Sequence, residues 1–192
     1  MTRLLIMGPP GSGKGTQARF LAEHFGVPAI STGDIFRVNV SQATELGLKA
    51  KTYLDAGEYV PDDVTNNMVR ERIGERDATG GFILDGYPRT EQQVKELDEM
   101  IAATGDHLDV VICLTVDQEE LVTRLLRRAA IESRADDTEE VIRRRQEIYN
   151  AQTEPLLDIY RRRGQLVDVA GLGEVVDVAD RVRAAVVTAL AS

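Results

Sequence analysis

The stretch that decides the fold is Gly8-Pro9-Pro10-Gly11-Ser12-Gly13-Lys14-Gly15-Thr16. It follows an apolar run, Leu4–Met7, and precedes a helical pattern. Its four glycines permit backbone angles that a Cβ forbids, so successive N–H groups can turn toward the oxygens of a polyphosphate. Lys14 adds a positive charge, and the helix that starts near it directs its positive N-terminal end at the same anion. The spacing G-x-x-x-x-G-K between a strand and a helix therefore predicts a P-loop.

One residue departs from the general P-loop pattern. Ser or Thr normally follows the lysine, whereas here Gly15 intervenes and Thr16 must supply any hydroxyl near a magnesium ion. A glycine-rich turn with a purely structural use is the alternative interpretation. The lysine and the strand-to-helix context argue against it.

Composition limits the class of protein. The chain has 192 residues, which suits one α/β domain with a sizeable core. Its 32 acidic and 23 basic residues leave a net charge of -9, which disfavours nucleic acid or an anionic membrane as a partner. No apolar stretch approaches a membrane span or the apolar region of a signal peptide. With one cysteine, Cys113, in an apolar run, we expect an unanchored cytoplasmic protein.

Short, continuous apolar runs alternate with helical patterns along the chain. The runs are typical of strands that are covered on both faces, and the alternation predicts a doubly wound α/β fold with a parallel sheet. In such folds ligands bind beyond the carboxyl ends of the strands. The predicted strands are Leu4–Met7, Val27–Ile30, Phe82–Leu84, Val110–Val116 and Leu166–Val169. The predicted helices are 14–25, 44–56, 61–76, 90–103, 117–130, 136–163 and 175–190.

Two segments are candidates for mobile covers over that edge of the sheet. Residues 31–60, here called the insertion, lie between two predicted strands and have helices of their own. The polar link 127–137, here called the lid, is rich in Arg and Asp. The insertion begins with Ser31 and Thr32, either of which could simply cap a helix. Arg37 follows them and is a candidate phosphate ligand.

A carboxylate ends the third apolar run. Asp85 follows Phe82–Leu84 at the predicted level of the P-loop, where such enzymes hold magnesium or its waters. A helix cap is the alternative role for an Asp at a strand end. The next residues include Tyr87-Pro88, which predicts a rigid turn, with a cis peptide bond as one option, that directs Arg89.

Arginines dominate the later part of the chain. Most arginines on amphipathic helices are solvated partners of nearby acids. Phosphoryl transfer, however, requires several cations around two polyanionic substrates, and the planar guanidinium suits phosphate oxygens. The candidates are Arg124, Arg127, Arg128, Arg134, Arg143, Arg144 and Arg145.

Taken together, these motifs resemble the adenylate kinases, a family of nucleoside monophosphate kinases. The family's order and spacing are followed by G-P-P-G-S-G-K-G-T-Q, I-S-T-G-D-I-F-R, L-D-A-G-E-Y-V-P, G-F-I-L-D-G-Y-P-R-T-E-Q-Q and S-R-A-D-D-T-E-E-V-I-R-R-R. The resemblance covers essentially the whole chain and accounts for Gly15, because the family has Gly-Thr after the lysine. It implies a single domain, 1–192, with a three-layer P-loop fold around a five-stranded parallel sheet, a small helical monophosphate-binding insertion and a short lid.

The resemblance implies reversible, Mg²⁺-dependent transfer of a phosphoryl group from ATP to AMP, which yields two ADP. Magnesium would lie near Thr16, with Asp85 reached through water. The implied ATP-binding residues are Gly11, Ser12, Gly13, Lys14, Gly15, Thr16, Arg128 and, through the backbone near the base, Gly173. The implied AMP-binding residues are Thr32, Arg37, Glu58, Tyr59, Val60, Gly86, Tyr87, Pro88, Arg89, Gln93, Arg134 and Arg145. The implied catalytic residues are Lys14, Arg89, Arg124, Arg128, Arg134 and Arg145.

Two residues favour AMP as the acceptor. The Gln93 amide can donate to and accept from the adenine edge, and Thr32 offers a hydroxyl beside it. Relatives that use UMP or CMP typically have Ala at the position of Thr32. A pyrimidine nucleoside monophosphate kinase is the first alternative, and a P-loop hydrolase or a non-catalytic nucleotide-binding module is less consistent with the arginines.

The lid departs from the long form of the family. Only Ala129–Glu132 separate the arginine helix from S-R-A-D-D, and no set of zinc ligands is present in the sequence. The family usually has Gly before the lid arginine, whereas this chain has Arg127, so either Arg127 or Arg128 could reach the phosphates. Short forms of the family are usually monomeric, and we expect a monomer here.

Overall fold

A five-stranded parallel sheet forms the centre of the computed structural model, which describes residues 1–117, 120, 121, 123–125 and 138–191. The strand order is β2-β3-β1-β4-β5, and every neighbouring pair is parallel. The predicted α/β class with a doubly wound sheet is therefore confirmed. The strands are β1 (Thr2–Met7), β2 (Ala29–Ser31), β3 (Gly81–Asp85), β4 (Val110–Thr115) and β5 (Leu166–Ala170).

Apolar cores lie on both faces of the sheet, which explains why the strands read as continuous apolar runs. Leu5 and Leu84 belong to one core, and their chain neighbours Leu4 and Ile83 belong to the other. All four side chains are fully buried. Because side chains alternate between the faces of a strand, each residue of such a run must be apolar.

Helices cover both faces. Several begin with a side-chain cap; Ser31, for example, accepts a hydrogen bond from the Asp34 N–H, which assigns it the capping role that the sequence left open. The helices are α1 (Lys14–Phe25), α2 (Thr32–Ser41), α3 (Glu45–Asp55), α4 (Asp62–Ile73), α5 (Glu91–Ala102), α6 (Glu139–Ile148), α7 (Leu156–Arg162) and α8 (Val175–Leu190), with a 3₁₀ turn at Arg76–Ala78. Residues 120, 121 and 123–125 are also helical.

One predicted helix is interrupted. The pattern over 136–163 predicts a single helix, but a π-helical turn, Tyr149–Thr153, and Pro155 separate α6 from α7. Pro155 lacks an N–H and cannot continue the backbone ladder. A π turn adds one residue to a helical turn and is rare, so an expectation of regular 3.6-residue spacing does not predict it.

The carboxyl ends of the strands lie along one edge of the sheet, which positions the site. β1 and β3 are adjacent in the centre, and Ile6 pairs in register with Asp85. The loop after β1 and the loop after β3 are therefore neighbours, although about 75 residues separate them in sequence. No helix among the described residues is long and apolar enough to span a membrane. The lid, 127–137, lies outside the described residues.

Candidate active site

The phosphate-binding loop, residues 8–16, turns tightly between β1 and α1. Gly13 is the N-cap of α1 and has a φ of 91°, a left-handed conformation that disfavours any residue with a Cβ. The Lys14 side chain folds back over the loop, and its ammonium donates to the Gly8 and Pro9 carbonyls at 2.7 and 2.9 Å. Ser12 is buried, and its hydroxyl has no hydrogen-bond partner among the described residues. The loop thus holds the Lys14 ammonium on its own carbonyls.

Asp85 stands beside this loop at the end of β3. Its Oδ2 atom lies 3.3 Å from the position that a Cβ on Gly15 would occupy. Burial raises the pKa of Asp85, and the nearby charges of Lys14, Arg89 and Arg37 act in the opposite direction. The carboxylate is therefore surrounded by cations from both sides of the sheet edge.

Magnesium fits the donors present here. The Thr16 hydroxyl, on the third residue of α1, and the Asp85 carboxylate are oxygen ligands of the kind that Mg²⁺ prefers. Mg²⁺ usually takes its remaining ligands from water and phosphate. In the described part of the chain no group of three or more His, Cys, Asp or Glu side chains could hold a metal ion by itself.

A cavity lies between the insertion and the end of β3. Its empty volume is about 340 Å³, which includes its opening to solvent. We call it the insertion cavity. Four separate stretches of the chain line it, and seven of the predicted AMP-binding residues are among its lining: Thr32, Glu58, Tyr59, Val60, Gly86, Arg89 and Gln93. Phe36, Leu54 and Thr65 also line it and were not predicted.

The Gly86 carbonyl joins two of these residues. It accepts from the Thr32 hydroxyl at 2.9 Å and from Arg89 Nε at 2.8 Å. Gly86 has a φ of 80°, and a Cβ there would lie 2.8 Å from Thr32 Oγ1 and 3.0 Å from Arg89 Nη2. Only glycine fits this position, because both the backbone angle and the space exclude a side chain.

Arg89 lines the insertion cavity. Its Cζ atom is 4.8 Å from the centroid of the Tyr59 ring, a cation–π contact. Burial lowers the pKa of the guanidinium; nearby Tyr59 and Asp85 oppose that effect, and the charges of Arg145 and Arg37 add to it. Such crowding of cations is unfavourable without an anion, which indicates an anionic ligand.

Gln93 is held with a defined amide orientation. Its Oε1 accepts from the Arg89 backbone N–H at 2.7 Å, and its Nε2 donates to Asp62 Oδ1 at 2.7 Å. Asp62 Oδ2 also accepts from the Thr90 hydroxyl at 2.7 Å. The amide oxygen can accept one further hydrogen bond from a ligand, and the amide nitrogen can donate one more. Sequence reasoning missed Asp62, because an Asp in the first turn of a helix is ordinarily explained by its favourable interaction with the helix dipole.

Some predicted AMP-binding residues, including Glu58 of the cavity lining, have protein partners of their own or lie away from the insertion cavity. Arg37 pairs with Asp34 one turn away on α2. Glu58 accepts from Arg144 at 2.6 and 2.8 Å, so its side chain joins the insertion to α6. Tyr87 is buried and donates to Asn66 Oδ1 at 2.8 Å. Pro88, which follows it through a cis peptide bond, is also buried, and neither residue lines the insertion cavity.

The loop after β5 packs on the phosphate-binding loop from the opposite side. A Cβ on Gly171 would lie 3.4 Å from the Ser12 carbonyl, and Gln17 donates to the Val175 carbonyl at 3.2 Å. Gly173 lies between these contacts with a φ of 110°. Arg124 donates to the Gly171 carbonyl at 3.0 Å, so it supports this loop.

Of the late arginines, Arg145 is on α6 and acts electrostatically on Arg89. Arg127, Arg128 and Arg134 lie outside the described residues, so their predicted roles remain predictions. Thr153, which sequence reasoning missed, lies in the π-helical turn and donates to the Arg89 carbonyl. No periodicity signals such a contact, because it depends on the interrupted helix.

Comparisons with known proteins show which family this chain resembles. A family model described as adenylate kinase matches residues 6–165. The adenylate kinase of Nocardioides sp. is 66% identical over 180 residues, which are 94% of each chain. The adenylate kinase of Clavibacter michiganensis is 57% identical over 185 residues, which are 96% of this chain and 92% of that one. The adenylate kinase of Pseudarthrobacter chlorophenolicus is 56% identical over 192 residues and the full length of both. The similarity thus includes both the phosphate-binding loop and the insertion.

Proposed function

This chain belongs to the adenylate kinase family, as its motifs predict, and from that premise we propose that the phosphate-binding loop holds ATP while the insertion cavity holds AMP. The reaction is transfer of the γ-phosphoryl group of ATP to AMP, which gives two ADP and is reversible. One observation supports the assignment of the two nucleotides above the others. Asp85 is within electrostatic reach of Lys14 on one side and of Arg37 and Arg89 on the other, so the two sites meet at the end of β3.

The chemistry requires little from the protein beyond position and charge. An oxygen of the AMP phosphate attacks the γ-phosphorus, the bond to the bridging oxygen of ATP breaks, and ADP leaves with that electron pair. The transition state is loose, so no side chain needs to form a covalent bond. Alignment of the reacting atoms and neutralisation of their charge supply most of the rate.

Lys14 and Arg89 hold the two ends of that transfer. Lys14 is anchored on the carbonyls of the loop and contacts the β- and γ-phosphates of ATP. Arg89 presents its terminal nitrogens to the AMP phosphate, and within the described residues those nitrogens donate to no protein oxygen. Gln93 and Thr32 recognise the adenine edge, and the backbone of 58–60 closes over the nucleoside.

Thr16 and, through water, Asp85 would hold magnesium beside the ATP phosphates, where the ion would neutralise phosphate charge. Burial raises the pKa of Asp85, and a divalent ion nearby would favour its ionised form.

We assign Arg145, together with Arg128 and Arg134 of the lid region, to the neutralisation of charge on the transferring phosphoryl group. Arg124 supports the loop near the ATP base. Closure of the insertion and the lid excludes water, which would otherwise accept the phosphoryl group. The domain limits follow this division: one domain over 1–192, with the insertion at 31–60 and the lid at 127–137. We also propose a cytoplasmic monomer, which is consistent with the buried free thiol of Cys113.

One assay tests the function. The protein is incubated with Mg²⁺-ATP and AMP, CMP, UMP or no acceptor, and ADP formation is followed. We expect fast turnover with AMP and little with the other acceptors. A preference for CMP or UMP would identify a pyrimidine nucleoside monophosphate kinase, and equal ADP formation without an acceptor would identify a hydrolase.

A further inference from the structure

We propose that Thr153, together with Tyr59, is a positioning residue that holds Arg89 in the orientation needed for phosphoryl transfer. The proposal rests on the proposed function, because it takes Arg89 as the ligand of the AMP phosphate. Thr153 does not line the insertion cavity. It therefore acts through Arg89.

Two contacts fix the Arg89 guanidinium itself. Its Nε donates to the Gly86 carbonyl at 2.8 Å, and its Cζ lies over the Tyr59 ring, 4.8 Å from the centroid. The first contact fixes one edge of the group, and the second supports one face. A cation–π contact strengthens as water is excluded from it, so the ring supports the guanidinium.

Thr153 fixes the backbone of Arg89 and the ring of Tyr59 at once. Its Oγ1 lies 3.0 Å from the Arg89 carbonyl and 2.7 Å from the Tyr59 hydroxyl. A threonine hydroxyl has one hydrogen, and the Arg89 carbonyl can only accept. The direction is therefore determined: Tyr59 donates to Thr153, and Thr153 donates to Arg89. Thr153 is only 5% exposed, so loss of either bond would leave a buried polar group unpaired.

The π-helical turn brings Thr153 to this position. The Glu154 N–H donates to the Tyr149 carbonyl at 2.9 Å, an i to i+5 bond that widens the helix by one residue. Thr153 is the last residue of the turn. An uninterrupted α-helix would rotate this residue by about 100° and direct the hydroxyl elsewhere. π turns of this kind occur frequently at functional sites.

The same segment holds a second cation of the site. Arg145 lies on α6, directly before the π-helical turn, and acts electrostatically on Arg89. Tyr59 belongs to the insertion and Arg89 to the loop after β3. The hydroxyl chain therefore joins three parts of the molecule that are 30 and 64 residues apart in sequence, with Arg89 common to all of the contacts. This arrangement holds Arg89 at a set position relative to Arg145.

The test is a double-mutant cycle in steady-state kinetics on the full chain. Thr153→Val keeps the shape of the side chain and removes its hydroxyl, and Thr153→Ser restores the hydroxyl. We expect Thr153→Val to lower kcat about tenfold and to raise KM for AMP, with KM for ATP within twofold. Thr153→Ser should regain most of the lost activity. Thr104→Val is the matched control, because the Thr104 hydroxyl also donates to a backbone carbonyl but lies at the end of α5.

The cycle pairs Thr153→Val with Arg89→Lys, which keeps the charge and removes the planar fork. If Thr153 acts through Arg89, Thr153→Val should lower kcat less than twofold in the Arg89→Lys background. An equal loss in both backgrounds would overturn the proposal, as would Thr153→Val kinetics within twofold of the unaltered protein.

A second variant covers the case in which Thr153→Val does not fold, as judged by circular dichroism. Tyr59→Phe keeps the ring under Arg89 and removes the donor to Thr153, and it should lower kcat by about threefold, with the loss absent in the Arg89→Lys background. An unchanged kcat for Tyr59→Phe would then overturn the proposal. Failure of the proposed function is distinguishable, because in that case the unaltered protein would not phosphorylate AMP or Arg89→Lys would leave kcat unchanged.

Discussion

The Asp85 carboxylate lies against Gly15, with Oδ2 3.3 Å from the place where a Cβ on Gly15 would be. This contact joins the end of β3 to the first turn of α1 and gives a physical reason for glycine after Lys14. A Ser or Thr at this position would meet the carboxylate. Thr16, one residue later, is left to supply the hydroxyl near the metal.

Gly15→Ala should therefore separate stability from activity. Alanine has the higher helix propensity, by up to about 1 kcal/mol, so we expect an unchanged or raised thermal midpoint. The added Cβ displaces Asp85 by a few tenths of an ångström, and kcat should fall roughly five- to tenfold, since small misplacements are costly in phosphoryl transfer. Gly80→Ala is the control, because open space surrounds that position. A kcat equal to that of the control would contradict the prediction.

Asp85→Asn should stabilise the free protein and impair the reaction. The pKa of Asp85 is raised above its ordinary value of 3.8. The stability that protonation of this carboxyl contributes is therefore complete below that value, and it is lost as the pH rises through the folded pKa. At a pH above the ordinary value of 3.8, burial of this carboxyl costs stability, and asparagine removes that cost.

We expect the thermal midpoint of Asp85→Asn to exceed that of the unaltered protein at pH 8, by roughly 2–4 °C for each kcal/mol gained. The difference should shrink as the pH is lowered toward 3.8, the ordinary value of the carboxyl. A Mg²⁺ titration of the activity should need a higher concentration for half-saturation. A midpoint that is lower at pH 8 would show that Asp85 stabilises the fold in its charged form.

Lys14→Met should abolish turnover and leave the fold intact. Lys14 is the cation of the phosphate-binding loop, and single cations of this kind are worth about 10³-fold or more in related transfers. The measurement is kcat with Mg²⁺-ATP and AMP, with circular dichroism to check folding. Lys95→Met, at an exposed lysine of α5, is the control. Activity retained at a tenth of the original would remove Lys14 from the mechanism.

Gly86→Ala should damage both the fold and the site, whereas Gly105→Ala should damage only the fold. Both glycines have a positive φ, which costs an L-residue about 1–2 kcal/mol. Only at Gly86 would the new Cβ meet Thr32 Oγ1 and Arg89 Nη2, because nothing lies within 4 Å at Gly105. We expect similar losses of thermal midpoint, and at least a tenfold loss of kcat/KM for AMP in Gly86→Ala alone. Equal kinetics in the two variants would refute the close approach.

Asp62→Asn should relax the choice of acceptor. Asp62 accepts from Gln93 Nε2 and thereby sets which end of the amide faces the base. Loss of this charge-assisted bond should raise KM for AMP about tenfold and narrow the preference for AMP over CMP, with KM for ATP unchanged. Asp63→Asn is the matched control, since Asp63 is the exposed neighbour in the same first turn of α4. If both variants behave alike, Asp62 acts only at the helix terminus.

Much of the architecture could be predicted because it depends on local chemistry. Continuous apolar runs predicted five strands, and their observed limits differ by no more than two residues at either end. The helix after Lys14 was predicted with its observed limits, 14–25, since glycines bound it on both sides. The prediction of one continuous helix over 136–163 was wrong, because a rare π turn and Pro155 interrupt it.

The sequence by itself was sufficient to predict the phosphate-binding loop, the carboxylate of Asp85 at a strand end and the loop that contains Arg89. Each is a short segment whose backbone preferences and flanking apolar runs are sufficient to specify it. Tertiary structure alone decided which groups meet. Thr153 reaches Arg89 across 64 residues, Asp62 orients Gln93 across 31, and Arg124 supports Gly171 across 47. Such contacts depend on strand order and helix placement, for which no single segment of sequence contains the information.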